Sequence, residues 1–520
     1  MSNKDARKQA LASLQSFEFE PTSLVAYQSA GKVLALGDTG ALQMCGDLPA
    51  AVDLEQVSSV NCTLQVDGYL GAYSVEVTDQ HGNSSILKGD AILDLHATPL
   101  MTREMLPPGY FHAPAKDWSK SAVAAELENL QGEFQKPKYF DYDPSICAHA
   151  VNGKTVCRQC IDACPATAIQ SLGEHIEVNP YLCQGGGSCT TVCPSGAIRY
   201  LYPTLRDNGK RMRNMLAEYL QQGGKQPIVL FHSENYAAEP YLQAYDNVLP
   251  LPVEELASVG MDLCLSALAY GAMQVVLHVD EQVPRSSLDN LHQQVGWIQE
   301  LLIGLGLDRS SVAICSHDAA LPGIDVWNGV ETALHDMPQG KRKAIYLALD
   351  HLVTSLQPQA DRVDLPTPAP FGDVVIDAEK CTLCMACVGS CPGRALQDGS
   401  NREIPEVFFI ENSCLQCGAC VQTCPEDAIA LNSRLLFDHE TRNRARALNS
   451  DTPFACISCG KPFAPTSVIH KMQEKLKDHH MFGTARALDR LKMCEDCRVV
   501  DIVQDADAMG GEFNPLKRFQ

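Results

Sequence analysis

The sequence predicts a multidomain α+β protein. Two cysteine-rich modules are separated by a parallel α/β sandwich domain, with a β-rich domain before them and a four-cysteine module after them. Three observations lead there. The chain has 520 residues, more than one core accommodates. Strand-like and helix-like stretches alternate between residues 205 and 356. The 23 cysteines are clustered: seven between Cys147 and Cys193, eight between Cys381 and Cys424, and four between Cys456 and Cys497. Cys45, Cys62, Cys264 and Cys315 stand alone and read as small buried hydrophobes.

The composition narrows the function classes. Hydrophobic residues make up 45% and charged residues 20%, which are globular values. A net charge of -22 argues against a nucleic-acid binder, because binding phosphate takes a surplus of Lys and Arg. The most apolar stretch, residues 259–279, carries Asp262, Gln274 and His278 and reads as core rather than a membrane span. The N-terminus has no apolar run of the secretory kind, so the expected location is cytoplasmic. In that compartment tight Cx2C spacings favour metal over disulfides.

Residues 1–140 form the expected β-rich domain. VTDQHGNSSILK reads as a hairpin around His81-Gly82-Asn83, and MLPPGYF (105–111) as a loop leading towards the first cysteine module. The GDTG run does not have the spacing of a phosphate loop.

Residues 141–204 carry two imperfect copies of C-x2-C-x2-C-x3-C-P, the bacterial ferredoxin repeat. In the first, Cys157, Cys160, Cys164 and Pro165 are in place, but Lys154 stands where the first cysteine belongs. Cys147 lies seven residues earlier, and a tight turn at Asn152-Gly153 is expected to fold it back. In the second, CQGGGSCTTVCP, only Gly186 replaces a cysteine; Cys183, Cys189, Cys193 and Pro194 are kept. In two-cluster ferredoxins the fourth cysteine of each run ligates the other cluster. One [4Fe-4S] cluster then takes Cys147, Cys157, Cys160 and Cys193. The other site has three thiolates, Cys164, Cys183 and Cys189. Three suit a [3Fe-4S] cluster or an open-corner [4Fe-4S] cluster. His149 is a conceivable fourth donor, though a lone histidine near a loop is more often solvated. Glycines 185 to 187 are expected to leave room beside the open corner.

Residues 205–356 form the α/β domain, with strands at 227–231, 273–279 and 311–316. In the helix between the last two, Leu288, Leu291, Val295, Ile298 and Leu302 make one apolar stripe, and Ser286 with Asp289 resembles a capping box. KRKAIYLALDHLVTSL is a further helix. No nucleotide-binding motif follows these strands, which favours a structural or docking role. Residues 357–372 read as a proline-rich linker.

Residues 373–432 hold two complete repeats, CTLCMACVGSCP and CLQCGACVQTCP. The crossover rule assigns one [4Fe-4S] cluster to Cys381, Cys384, Cys387 and Cys424, and a second to Cys414, Cys417, Cys420 and Cys391. Short helices are expected at GRALQ and EDAIA, and a strand at EVFFIEN. Residues 445–520 carry Cx2C, 34 residues and Cx2C. Cys456, Cys459, Cys494 and Cys497 suit tetrahedral S4 coordination, with Zn2+ preferred and mononuclear iron or another cluster as rivals. Val468, Ile469, Met472 and Leu476 share one helical face, and His470, His479 and His480 are expected on the exposed side.

The run KRKAIYLALDHL, CTLCMACVGSCPGRAL, CLQCGACVQTCPEDAI, CISCGKPF and KMCEDCRV resembles large cytoplasmic ferredoxin-type proteins encoded beside bacterial formate dehydrogenases. VDGYLGAYSVEVTD is similar to a segment of the flavin-carrying subunit of heterodisulfide reductase, without that family's flavin-binding glycines. LPVEELASVGMDLCLSALAYGAMQVVL is similar to the delta subunit of methyl-viologen-reducing hydrogenase, and FHSENYAAEP stands where that family's cysteines would be. The resemblance implies a soluble carrier that relays single electrons between a dehydrogenase partner and an acceptor. Two other readings are a catalytic oxidoreductase subunit using the open corner or a flavin, and a cluster-bearing scaffold or assembly factor. The oligomeric state is open.

Overall fold

The computed structural model describes residues 2–48, 52–114, 119–151, 153–236, 238–316, 320–327, 330–399 and 404–505. The chain divides into two units, Met1–Ala360 and Asp361–Gln520.

The first unit opens with a helix, Asn3–Gln15, capped by the Ser2 side chain. A parallel four-stranded sheet follows, in the order Leu54–Ser58, Val33–Gly37, Ala91–Asp94, Tyr110–His112. Its central strand, VLALG, is buried at every position, as a parallel strand covered on both faces must be. A meander of Cys62–Asp67, Tyr73–Asp79 and Ser84–Gly89 precedes the third strand of the sheet. Its second turn is the expected hairpin: Asp79 Oδ1 accepts from the amides of His81 and Asn83 at 2.8 and 2.9 Å. At GDTG a short helix, Thr39–Met44, begins, and its first free amides face the Asp38 carboxylate. A carboxylate in that place disfavours a phosphate.

A second parallel sheet has the order Val248–Val253, Ile228–Ser233, Gln274–Val279, Val312–Ser316. Three of these strands lie where periodicity put them. The fourth, VLPLPV, was not among the expected strands, and it contains Pro250 and Pro252. It sits at the sheet edge, where missing amides are tolerated. The Arg285–Gly304 helix buries Leu291, Val295, Ile298 and Leu302, with Leu288 only partly covered. The expected capping box does not form. The N-cap is Pro284, and Ser286 instead donates to Glu104, from its amide at 3.1 Å and its hydroxyl at 2.6 Å.

In the second unit, strands Arg362–Asp364, Ile429–Leu436 and Gly372–Ile376 form one antiparallel sheet, and Leu396–Asp398, Glu406–Phe409 and Arg446–Ser450 another. The stretch read as a linker therefore contributes a strand, with Val363 opposite Leu435. The helices expected at GRALQ and EDAIA are turns running into strands instead. Arg394 and Asp427 have φ of 51° and 48°, which stops a right-handed helix at its first turn. The C-terminal part has a hairpin (Pro453–Ala455 with Pro462–Pro465) and three helices, Thr466–Leu476, Ala485–Arg490 and Glu495–Gln504. Ile469 is buried on the predicted face, while His470, His479 and His480 are exposed.

Of the lone cysteines, Cys45, Cys264 and Cys315 are buried; Cys62 is half-buried and donates to Ser58 O at 2.9 Å. Among the described residues no helix is long and apolar enough to cross a membrane.

Candidate metal centres

In the second unit Cys381, Cys384, Cys387 and Cys424 wall one small cavity, and Cys391, Cys414, Cys417 and Cys420 wall another. The crossing of the fourth cysteines is built by the backbone. Leu383, Met385, Gln416 and Gly418 all have positive φ, so each loop reverses twice within five residues and turns its thiols inward. Leu383 donates its amide to Cys381 Sγ at 3.4 Å, Ala395 to Cys391 Sγ at 3.2 Å and Ala428 to Cys424 Sγ at 3.4 Å. Val374, Leu396, Val407 and Phe409 make the surrounding core apolar. Burial pushes the Cys387 thiol up to about 11 and the Cys420 thiol to about 12, and neighbouring thiols add to both. Four such groups ionise together only against a compensating positive charge.

The residues fit iron–sulfur clusters better than single ions. Around one ion with bonds of about 2.3 Å, four tetrahedral sulfurs lie about 3.8 Å apart. Among the described residues, the only group of three or more such side chains with all donor atoms within 4.8 Å is Cys456, Cys459, Cys494 and Cys497. The eight thiols of the ferredoxin repeats are spread more widely and surround two separate spaces, as polynuclear groups require.

The 141–204 region repeats the arrangement. The thiols bearing on Cys160, after burial itself, are Cys193, Cys157 and Cys147, and together they raise it. Cys164, Cys183 and Cys189 share a cavity with Gly186 and Pro165. Cys147 is returned by a small hairpin, Ala150–Val151 with Lys154–Thr155, around Gly153 at φ 75°. Asn152, the other residue of the expected turn, lies outside the described residues.

Two expectations here are corrected. His149 is neither solvated nor a candidate donor at the three-thiol site. It is 2% exposed, with Nδ1 2.8 Å from Cys157 O and Nε2 2.7 Å from Ser171 Oγ, so both ring nitrogens are engaged. Its carbonyl accepts from the amides of Val156 and Cys157, which fixes the returning loop. The glycine run is not roomy either. A β-carbon at Gly185 would lie 2.8 Å from the Tyr139 ring, one at Gly186 2.9 Å from Met105 Sδ, and one at Gly187 2.5 Å from Ser258 N. Glycine is there because neighbouring elements press onto the loop.

Sequence reasoning also missed two lysines. Lys136 reaches under the second repeat and donates to Tyr181 O at 2.9 Å and Cys183 O at 2.5 Å. Burial lowers it to about 8, and the nearby Cys183 charge acts the other way. Lys341 donates to the carbonyls of Thr190 and Cys193, each at 3.1 Å, and to that of Thr191, placing a cation at the C-terminus of the short Ser188–Val192 helix. Nothing in the spacing of either lysine marks it; only the fold brings it to the thiols.

A cavity of about 320 Å3 lies beside the three-thiol space, and the two share Ile198 and Tyr200 as walls. Thr190, Arg199, Asp262 and Lys341 add polar lining. Burial raises the Asp262 carboxyl and lowers the Lys341 ammonium, and each partly offsets the shift of the other.

At the C-terminal group, Cys459 Sγ and Cys494 Sγ are 3.8 Å apart, the spacing expected around one tetrahedral ion. Gly460, at φ 74°, closes the first knuckle by donating to Cys456 O at 2.8 Å. Cys494 is the N-cap of the Glu495–Gln504 helix, and its amide donates to Cys456 Sγ at 3.3 Å. Burial opposes ionisation of Cys456, but amides from Cys494, Cys459 and Ser458 outweigh it and hold the thiol at about 6. One sulfur is thus prepared as a thiolate for a cation.

Residues 380–429 match the family model of a 4Fe-4S dicluster domain, and residues 141–213 match a second model of the same description. No curated protein matches the chain. The chain thus carries two ferredoxin-type 4Fe-4S dicluster domains and, near its C-terminus, a cysteine group able to hold a metal.

Proposed function

We propose that the protein is an iron–sulfur electron carrier that relays single electrons between a dehydrogenase and an acceptor. The observation that carries this reading is the crossed arrangement of thiols, found twice in one chain: around two cavities in the second unit, and in the 141–204 region with Cys164 beside Cys183 and Cys189 in one cavity and Cys193 acting on Cys160. Cys381, Cys384, Cys387 and Cys424 would hold one [4Fe-4S] cluster, Cys391, Cys414, Cys417 and Cys420 a second, and Cys147, Cys157, Cys160 and Cys193 a third. Cys164, Cys183 and Cys189 would hold a fourth, of three or four irons. Such clusters supply one-electron redox chemistry when bound. The chain's own part is to orient the thiols, to exclude water with Leu383, Phe409 and Leu415, and to aim amides at the sulfurs. The C-terminal cysteines would hold Zn2+ as a structural ion.

The α/β domain is assigned to docking or spacing, in line with its resemblance to a hydrogenase subunit. A net charge of -22 suits a basic patch on the partner, with association rates that fall as salt rises. The resemblance to proteins encoded beside formate dehydrogenases makes that enzyme the first partner to test.

A second reading has one observation in its favour. The 320 Å3 cavity beside the three-thiol site is large enough for a small substrate. Reduction of the clusters by a small molecule without any partner protein would favour it.

The test is anaerobic purification with iron, sulfide and zinc counted, followed by stepwise reduction. The expected result is reversible reduction of at least three clusters and cluster reoxidation by the acceptor. Clusters that do not reduce reversibly would overturn the relay and favour the scaffold reading.

A further inference from the structure

Gly186 is the position from which a fourth cysteine would have reached the site of Cys164, Cys183 and Cys189. That position is not empty space. A β-carbon built on Gly186 would meet Met105 Sδ at 2.9 Å and Pro165 Cγ at 3.1 Å. The nearest heteroatom to the missing side chain is therefore another sulfur.

The loop that brings this sulfur is held on several sides. The Met105 amide donates to Pro165 O at 3.1 Å, and Pro165 directly follows Cys164 of the same site. One residue earlier, Glu104 accepts from the amide and hydroxyl of Ser286. Two and three residues later, the carbonyls of Pro107 and Pro108 accept from the Tyr73 hydroxyl at 3.2 and 2.9 Å. Met105 is presented by a fixed strap rather than a loose chain. Two other polar groups near the site are committed elsewhere. His149 has both ring nitrogens engaged, and Lys136 is turned to two carbonyls. Tyr200 shares a wall of the site, and its buried hydroxyl has no hydrogen-bond partner among the described residues, so it is the rival donor; it is the Met105 sulfur, however, that stands where the side chain of residue 186 would go.

We propose that the thioether of Met105 is the fourth ligand of the three-thiol site, which then holds a four-iron cluster rather than a three-iron one. The inference rests on the reading of this site as an iron–sulfur site. A thioether is a soft donor of the kind iron–sulfur clusters accept. It is also neutral. Replacing one thiolate by it removes one negative charge from the cluster environment, and lower negative charge favours the reduced form. This cluster is then the one in the chain that is easiest to reduce, an electron sink beside its all-thiolate neighbour.

The test is EPR with iron counting on the full chain, purified anaerobically. Wild type is expected to be silent at the three-iron signal when oxidised. Met105→Leu keeps the volume but removes the sulfur. On mild oxidation it should show the three-iron signal and lose about one iron per chain. Gly186→Cys alone should perturb the site, because its β-carbon meets Met105; Gly186→Cys with Met105→Ala should give an ordinary four-thiolate cluster that is harder to reduce than wild type. Tyr200→Phe should change none of this. The signals of the 373–432 clusters report in every variant that the protein is loaded. A three-iron signal already present in oxidised wild type would overturn the proposal. So would Met105→Leu spectra and iron content matching wild type, or a Tyr200→Phe variant that behaves as expected of Met105→Leu. Cys183→Ser separates the underlying reading: iron content unchanged by it would mean that the site holds no cluster at all.

Discussion

The Gln416 side-chain amide donates to Cys414 Sγ at 3.4 Å. The residue in the same place of the first complete repeat is Leu383, which offers its sulfur only a backbone amide. The two sites of one pseudo-symmetric module therefore differ in the kind of donor: Cys414 receives a side-chain amide where Cys381 receives a backbone amide. The same Gln416 amide group also donates to Asp373 O at 3.0 Å, so its position is fixed. Hydrogen bonds to cluster sulfurs stabilise the more negative, reduced state. The potential of the Cys391/Cys414/Cys417/Cys420 cluster is therefore open to tuning through a side chain, which a substitution can remove. Gln416→Leu should lower it by tens of millivolts, on the order expected for one such bond, and leave its neighbour in place. A potentiometric titration followed by EPR would decide it; two unmoved potentials would remove Gln416 as the tuning group.

Behind that cluster lies a buried ion network. Arg434 pairs with Glu411 through Nε at 3.0 Å and Nη2 at 2.8 Å, and with Asp373 at 3.1 Å. Glu411 and Asp373 are 5% and 6% exposed. Glu411 O also accepts the Cys414 amide, so the network supports a ligand loop. Removing one partner of a buried pair costs about 3–5 kcal/mol, because the remaining charge stays buried. Arg446 also contacts both carboxylates and softens the loss. Arg434→Met should lower the denaturant midpoint of the second unit and speed cluster loss to chelator. Glu411→Gln, which keeps a neutral acceptor, should cost less. Equal stability of all three proteins would show that the network contributes nothing.

Glu255 gives the first unit a pH dependence. Burial first, then Glu254 and Asp280, raise its carboxyl from 4.5 to about 7. The folded state therefore binds this proton more tightly than the unfolded state. Stability is fully present below about pH 4.5, falls as pH rises towards 7, and stays reduced above it. The total is of the order of 3 kcal/mol. Glu255→Gln should stabilise the first unit at pH 8 and change little at pH 4.5. Urea midpoints at the two pH values measure it, and a variant no more stable at pH 8 would exclude the effect.

Much of the cluster chemistry was legible because it is local. Spacings of two and three residues fix which thiols share a loop, and the crossover follows from repeating that loop. What was not legible depends on partners far away in sequence. Met105 meets Gly186 and Lys341 meets Thr190, and no spacing encodes either meeting. The Val248–Val253 strand carries Pro250 and Pro252, which an edge position tolerates but a local strand pattern does not signal. The apolar pattern of GRALQ and EDAIA fitted a helix, but φ at Arg394 and Asp427 turned the amides of Ala395 and Ala428 onto sulfur. The capping box lost to Glu104, a carboxylate 182 residues away that offered Ser286 a better partner than Asp289.

The C-terminal sulfurs lead to a prediction about metal identity and folding together. Their spacing matches one ion, and the module around them has little core. Ile469 is the one buried residue of the Thr466–Leu476 helix, and the Glu495–Gln504 helix buries none. The Ala485–Arg490 helix is tied to the latter by Arg486 and Arg490, which pair with Asp501 and Asp505. The pairs of exposed Arg486 are worth about 0–1 kcal/mol each, and for the better covered pairs of Arg490 desolvation offsets much of the attraction, so together they are too little to order the segment. A structural metal is the remaining source, since binding a metal to four cysteines contributes directly to folding. Purified protein should carry one zinc per chain that resists dialysis. Cys494→Ser should lose that zinc and expose residues 453–505 to protease, while the iron content stays unchanged. If the ion is iron, the same variant loses one iron and no zinc. Protection from protease that survives Cys494→Ser would show that the module is held by something other than its metal.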